Sequence, residues 1–296
     1  MNTHGGTDKK ALGTLYVVAT PIGNLQDMTV RATSVLGQVD IVAAEDTRVS
    51  GGLLRHLGVR PRLIASHEHN ERSSAEKIVT MLQEGQDVAV ISDAGTPGVS
   101  DPGAVVVAAV LAAGLKVVPI PGPSAAIAAV SASGFTETTF RFVGFLPPKR
   151  GARVEAILQL AEDESLQIIY EAPHRILDCL TDLRDTLGVD REIVICRELT
   201  KTFETIRRLP LGEAVEWVSG DSNQQRGEFV LVLSACQKPV TTEEGLPADA
   251  DRLLQILIAE LPLKQAVGLA VKITGLAKNE LYQHALNLKA ALEDEE

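Results

Sequence analysis

Short apolar runs alternate with segments of helical period through most of this chain. Thr14 to Ala19, Ile41 to Ala44, Arg62 to Ser66, Val88 to Ile91 and Lys116 to Ile120 read as strands. Between them, Thr29 to Leu36, Ser73 to Leu82 and the wholly apolar Ala104 to Ala113 read as helices. Strand and helix in this alternation predict a mostly parallel sheet covered by helices. A second set of strands follows at Phe140 to Phe145, Leu166 to Tyr170, Arg191 to Glu198, Phe203 to Leu209 and Gly227 to Ala235. The prolines of LPPKRG, Leu146 to Gly151, bar regular structure between the two sets and mark a connection. Beyond Cys236 and the polar QKPVTTEEGLPAD the pattern becomes wholly helical. Leu253, Leu254 and Leu257 form one stripe, Ala266, Val267, Ala270 and Val271 a second, and Leu281, Tyr282, Ala285 and Leu288 a third. Thr274-Gly275-Leu276 is the turn between the last two.

This pattern predicts an α/β protein with two α/β domains, residues 13–122 and 123–238, and a small all-helical C-terminal module over residues 249–292. Residues 239–248 are expected to be a linker and residues 1–12 a disordered lead-in. A chain of 296 residues with 45% hydrophobic content and mean hydropathy +0.10 can bury more than one core. Its longest apolar run, Ala104 to Ala113, is half of the roughly 20 residues a membrane span needs, so no membrane span is expected. The lead-in, Met1 to Leu12, is polar and reads as a disordered segment, so an export signal is not expected. Cys179, Cys196 and Cys236 fit neither a disulfide framework nor a zinc motif. A cytoplasmic protein with reduced thiols is the expectation. The net charge of −11 gives no general attraction to nucleic acid, but a local basic rim can still engage RNA.

The stretch that carries most chemistry is ISDAGTPGVSDPG, Ile91 to Gly103, at the carboxyl end of a strand. Its glycines let backbone approach a ligand, and Asp93 can accept hydrogen bonds from one. PGPSA, Pro121 to Ala125, repeats the arrangement one βα unit later. Either loop alone reads equally well as a tight turn; the pair, with Asp93 and Ser124 at turn positions, predicts a shared small-molecule pocket. Asp101 is expected to cap the helix that follows. Neither G-x-G-x-x-G nor G-x-x-x-x-G-K-[ST] occurs, which argues against a conventional dinucleotide or P-loop site. HEHNE, His67 to Glu71, lacks a partner motif for a metal and reads as a hydrogen-bonded loop; no metal is expected. YEAPHR, Tyr170 to Arg175, and CRELTK, Cys196 to Lys201, are further polar clusters at predicted strand ends.

TPIGNLQD (Thr20 to Asp27), AEDTR (Ala44 to Arg48), SHEHNE (Ser66 to Glu71), SDAGTPGVSDPG, PIPGPSA, GFLPPKR (Gly144 to Arg150), YEAPHR, RELTK and RGEFVLV (Arg226 to Val232) run in that order. Together they resemble the ribosomal RNA small-subunit methyltransferase I family, of the tetrapyrrole methylase superfamily. The resemblance covers about Gly13 to Ala235 and extends into the helical tail. It implies a cofactor cleft between two domains of tetrapyrrole-methylase type, with S-adenosylmethionine as cofactor. The implied activity is 2′-O-methylation of a cytidine in the decoding region of 16S ribosomal RNA, met in the assembled small subunit. A homodimer is what the superfamily suggests. Carried over by position, the cofactor would be surrounded by Pro21 and Gly23, by Asp93, Ala94, Gly95, Thr96, Pro97, Val99 and Ser100, by Ser124 and Ala125, and by Glu171, Ala172 and Leu199.

Methyl transfer to a hydroxyl needs in-line placement and a proton acceptor. Glu171 and Glu198, each at a strand end, are candidate bases, and His174, Lys201 or Arg175 can hold a substrate phosphate; the sequence does not choose among them. Lys149, Arg150 and Arg153 at the interdomain connection, with Arg175, Arg197 and Arg226 near strand ends, are the candidate RNA contacts, against the reading that they are an ordinary solvated rim. The tail, Gln265 to Leu286, has a helix-turn-helix layout. From Glu243 to Glu296, however, it carries five Lys/Arg against ten Asp/Glu, which disfavours tracking of phosphates. Two other readings remain: a tetrapyrrole or corrinoid methyltransferase of the same superfamily, since fold does not specify acceptor, and a non-enzymatic adenosylmethionine sensor with the tail as effector.

Overall fold

The computed structural model describes residues 11–236 and 248–293. Strands β1 (Thr14–Val18), β2 (Ile41–Ala44), β3 (Arg62–Ala65), β4 (Val88–Ile91) and β5 (Lys116–Ile120) form an all-parallel sheet in the order β3-β2-β4-β1-β5. Every residue of β2 and β4 is buried, as continuous apolar runs covered on both faces require. Helices α3 (Glu71–Gln83) and α4 (Ala104–Ala112) cover one face over Leu15, Ile78, Leu82, Val106 and Val110. Helices α1 (Val30–Gln38) and α2 (Thr47–His56) cover the other over Val18, Leu36, Val42 and Leu54. The connections leaving β1 and β4, which are adjacent, therefore depart to opposite faces. That opens a crevice at their carboxyl ends, where ligands of such sheets bind.

The second sheet contains β6 (Phe140–Phe145), β7 (Leu166–Glu171), β8 (Glu192–Arg197), β9 (Thr205–Pro210) and β10 (Phe229–Leu233), in the order β6-β7-β10-β8-β9. Only β6 and β7 run parallel. Phe229 of β10 lies opposite both Glu171 and Arg197, so the ends of β7 and β8 and the start of β10 share one rim. Helices α6 (Arg150–Leu158), α7 (Ile176–Leu187) and α8 (Leu211–Gly220) pack on one face around Ile169, Leu180, Ile195 and Leu231. The other face receives α5 (Ala125–Ala132) through Ala126 and Ala129, against Ile168, Val194 and Val232. Several strand ends fall short of the sequence expectation, two of them with a visible cause or consequence. β8 stops at Arg197 because Glu198 turns to φ +53°, and β9 begins only at Thr205, leaving Phe203 70% exposed.

The described residues through Cys236 form one compact unit, and those from Ala248 onward a second. The second is three helices, α9 (Ala248–Glu260), α10 (Leu263–Thr274) and α11 (Lys278–Glu293), closed around Leu254, Val267, Ala270, Leu281 and Ala285. Gly275 ends α10 with φ +72°, the left-handed geometry a helix stop needs. Tyr282 departs from its expected stripe and is 40% exposed, because the buried line runs Leu281, Ala285, Leu288. The expected lead-in 1–12 lies outside the described residues except for Ala11 and Leu12, and the expected linker 239–248 except for Ala248. Among the described residues no helix is long and apolar enough to cross a membrane.

Candidate active site

The crevice is built from the loops after β1 and β4. Thr20 and Gly95 exchange backbone hydrogen bonds of 2.9 and 3.0 Å, and the Thr20 hydroxyl donates to the Ser92 carbonyl at 3.1 Å. Gly95 and Gly98 adopt φ of +82° and +79°, which turns the backbone of residues 94–100 along the crevice. The helix α4 that follows is not capped by Asp101. Its N-cap is Gly103, and Glu71 supplies the acceptor: its Oε1 receives the Gly103 and Val105 amides at 2.7 and 3.2 Å. Asp101 instead faces the crevice. Burial pushes its carboxyl above the usual range, a hydrogen bond with Ser92 opposes this, and the Asp93 charge adds to the rise.

A cavity of about 350 Å³ lies between this edge and the rim of the second sheet. Of the expected cofactor residues, Ala94, Gly95, Thr96, Val99, Ser100, Ser124, Ala125, Glu171, Ala172 and Leu199 line it. Two hydrogen bonds tie its walls together, Thr96 hydroxyl to Pro123 carbonyl at 3.1 Å and Ala126 amide to Tyr170 hydroxyl at 3.1 Å. Sequence reasoning missed Ile22, Asp101, Phe145, Tyr170, Pro173, Cys196, Glu228, Phe229 and Val230. A signal was present in the aromatics: the chain has six Phe, three Tyr and one Trp, and Phe145, Tyr170 and Phe229 are all here. Phe142 and Phe145 meet the Tyr170 ring edge-on, with centroids 5.0 and 5.7 Å away. Burial pushes up the Tyr170 phenol and raises the Cys196 thiol to about 12, which keeps both neutral.

Pro21, Gly23, Asp93 and Pro97 are not in the wall. Asp93, the expected polar anchor, is exposed and accepts the Asp46 amide at 3.1 Å, while its own amide faces Glu45 Oε2 at 3.4 Å. It ties the β4 loop to the AEDTR segment after β2. Burial raises the Glu45 carboxyl, with the neighbouring Asp101, Asp93 and Asp46 charges adding to the effect. Gly23 acts by its lack of a side chain: a Cβ there would stand 2.5 Å from Lys201 Cγ and 2.9 Å from Thr200 Oγ1. His67 and His69 meet edge-on at 6.1 Å, and among the described residues no group of three His, Cys, Asp or Glu could hold a metal ion.

The candidate bases are both engaged. Glu171 is 2% exposed; its Oε1 accepts the Ala172 amide at 2.8 Å and lies 3.2 Å from Arg175 Nε, and its Oε2 accepts Arg175 Nη2 at 3.3 Å. Glu198 accepts the Glu228 amide and Lys201 Nζ, both at 2.9 Å, and Lys201 also reaches Glu228 Oε2 at 2.7 Å. Burial alone would raise Glu198; Lys201, the Glu228 amide and Arg197 together hold it below the usual range. Lys201 lines the cavity, while Glu198 and the exposed His174 do not.

The expected RNA contacts divide. Lys149 and Arg226 are exposed, and the Arg150 side chain is 73% exposed although its Nε reaches Asp182 at 3.0 Å. Arg153 and Arg197 are not available. Arg153 is 4% exposed and paired with Asp182 at 2.7 Å, because it lies on the buried face of α6 with Ile157. Arg197 is 8% exposed and donates to the Arg226 and Phe203 carbonyls at 2.7 and 3.1 Å. Arg175 is half-buried and donates to Leu146 O at 2.6 Å as well as to Glu171.

The chain matches the Tetrapyrrole (Corrin/Porphyrin) Methylases family over residues 14–215 and the RsmI C-terminal HTH domain over residues 244–289. It is similar to the ribosomal RNA small subunit methyltransferase I of Pseudomonas aeruginosa, 53% identical over 93% of this chain and 97% of that one. With its counterpart in Escherichia coli O157:H7 it is 49% identical over 97% and 99% of the two chains. Among solved structures, the methyltransferase CobJ aligns with TM-score 0.56 at 20% identity over 79% of this chain and 98% of that one. Uroporphyrin-III-C-methyltransferase from Thermus thermophilus aligns with TM-score 0.54 at 18% identity over 75% and 94%; both show likeness of fold. The chain thus belongs to the tetrapyrrole methylase family, within its ribosomal RNA small subunit methyltransferase I group, and is an S-adenosylmethionine-dependent methyltransferase.

Proposed function

We propose that the protein methylates the ribose 2′-oxygen of a cytidine in the decoding region of 16S ribosomal RNA, in the assembled small subunit, as a cytoplasmic homodimer. The observation that carries this reading is identity of about half the residues over nearly the full length of relatives bearing that name, tail included. The cavity suits the cofactor. Backbone of residues 94–100 and the starts of α5 and β10 offer donors and acceptors, Asp101 offers charge, and Phe145, Tyr170 and Phe229 offer aromatic edges and faces to an adenine or a sulfonium. Bound S-adenosylmethionine supplies an electrophilic methyl group.

The chain's own residues then have four tasks. Ala94, Gly95, Thr96, Val99, Ser100, Ser124, Ala125, Ala172 and Leu199, with Asp101, hold the cofactor and exclude water from it. Glu171, locked to Arg175, fixes the end of β7 against the 146–148 connection. Lys201, held between Glu198 and Glu228, sets the second-sheet wall, and Lys149, Arg150 and Arg226 meet phosphates. Homodimer and compartment rest on the family and on the substrate.

The test is transfer of labelled methyl from the cofactor to assembled small subunits, free 16S RNA or a tetrapyrrole. Label in subunits at a cytidine made resistant to alkaline cleavage is the expected result. Label in a tetrapyrrole, or none in RNA, overturns the reading.

A further inference from the structure

A second cavity, of about 320 Å³, adjoins the first through the shared residues Ile22 and Ser124. Its lining contains no Lys, Arg or His, so it is not built for phosphate. It contains instead Asp27 and Thr200, whose Oδ2 and Oγ1 are buried without a hydrogen-bond partner. Buried oxygens of this kind are rare, and each calls for a partner the folded chain does not supply.

Local structure does not need either group. Asn24 caps the short turn Leu25–Asp27 by accepting the Gln26 amide at 3.0 Å, and Thr29 caps α1 by accepting the Ala32 amide at 3.1 Å. The Asp27 carboxylate sits between two caps already filled. Thr200 holds φ +67°, a costly conformation for a β-branched residue, secured by its amide on Glu204 Oε2 at 2.6 Å. Gly23 leaves room for the Thr200 hydroxyl, since a Cβ there would come within 2.9 Å of it. Strain and a space-making glycine thus combine to place the Thr200 hydroxyl in the wall of the cavity that Asp27 also lines.

An obligate acceptor and a hydroxyl that can donate, both in the wall of one cavity, match an edge bearing an amine beside a ring nitrogen. Cytosine has that edge. Uracil reverses it, presenting a carbonyl and a ring N–H, and its carbonyl would face the carboxylate. We infer that the second cavity receives the base of the acceptor nucleotide, with Asp27 accepting its exocyclic amine and Thr200 donating to its ring nitrogen, so that Asp27 sets the choice of cytidine over uridine. The base has to leave the stack to enter, as in other enzymes that act at a single nucleotide. The inference rests on the proposed RNA substrate and names what selects the nucleotide within it.

Two measurements keep the two readings apart. The first is single-turnover methyl transfer at saturating cofactor to small subunits carrying cytidine, uridine or adenosine at the modified position, using the parent, Asp27→Ala and Thr200→Val. The parent should prefer cytidine to uridine, and Asp27→Ala should lose roughly 10- to 100-fold on cytidine while the preference collapses. Cofactor affinity by calorimetry should stay within about twofold of the parent. Thr200→Val keeps the shape without the hydroxyl and should show a smaller loss in the same direction.

The second measurement is NMR-detected binding of free cytidine and uridine to the cofactor-loaded protein, which does not depend on the subunit being the substrate. Cytidine binding that is stronger than uridine binding and lost in Asp27→Ala supports the inference even if subunits are not labelled. Equal binding of the two nucleosides, or the same preference in Asp27→Ala, overturns it. So does an Asp27→Ala loss that is equal on cytidine and uridine and recovers at high pH, which would make Asp27 the proton acceptor.

Discussion

The Glu171–Arg175 pair allows a sharp test of what the most buried carboxylate in the site does. Glu171→Gln keeps the shape and one oxygen for the Ala172 amide but removes the charge facing Arg175. Breaking a buried ion pair costs about 3–5 kcal/mol when the partner is left alone. Here the guanidinium keeps the Leu146 carbonyl at 2.6 Å and is 18% exposed, so the expected loss is lower, about 1–3 kcal/mol. That corresponds to a fall in unfolding midpoint of about 2–10 °C for a domain of this size. Arg175→Met does the opposite, leaving a carboxylate with 0% side-chain exposure without its cation, and should cost about 3–5 kcal/mol. The double variant should then be more stable than Arg175→Met alone. Denaturant unfolding without cofactor gives the cycle, and single-turnover methyl transfer runs alongside. Additive losses within about 0.5 kcal/mol would refute the anchoring argument. A stable Glu171→Gln protein that binds cofactor normally yet transfers methyl a thousandfold more slowly would make Glu171 the proton acceptor.

Arg153→Ala should destabilise the α/β unit by about 1–3 kcal/mol, since Asp182 loses its buried partner and keeps only the exposed Arg150 at 3.0 Å, whereas Lys149→Glu should leave the unfolding midpoint unchanged and weaken subunit binding most at low salt. Equal midpoints for the two variants by thermal scan would return Arg153 to the RNA surface. Asp101 has a raised folded-state pKa, so the fold penalises its ionised form: stability is reduced at neutral pH and regained as pH falls through that raised value toward 3.8. Asp101→Asn should therefore be the more stable protein without cofactor at pH 7, with the gap closing near pH 4 and cofactor binding weakened; a less stable variant at pH 7 contradicts this.

The strands were legible because each is a run of buried apolar residues bounded by turn residues, and that information is local. What the sequence hid was non-local. The cap of α4 comes from Glu71, 32 residues before Gly103, so a rule that looks for a cap beside the helix found Asp101. Asp93 sits at a strand end as expected, but the loop after the neighbouring β2 claims its oxygen. Arg153 was different, since its spacing to Ile157 already put it on the buried face of α6. The scarcity of aromatics was a second unused signal, because three of ten converge on one wall. Asp27 and Thr200 stand in TPIGNLQD and RELTK, but nothing in either motif singled them out, and only the fold brings them to one cavity.

The distribution of charge explains how so acidic a chain can address RNA. Glu45, Asp46, Asp93 and Asp101 cluster on the first-sheet side of the cavity, after β2 and β4. On the other side, the connection carrying Lys149 leaves the end of β6, and Arg226 precedes β10, whose first residue lies opposite Glu171. On the proposed function, a polyanion approaching the cavity would be repelled at one lip and attracted at the other, which would orient it although the chain as a whole carries a net charge of −11. Few phosphate contacts then suffice, provided that recognition is finished inside the site by groups that read a base and not its backbone. A second cavity with no cationic side chain in its lining, but with an unpaired carboxylate oxygen and a hydroxyl, is what such a division of labour requires.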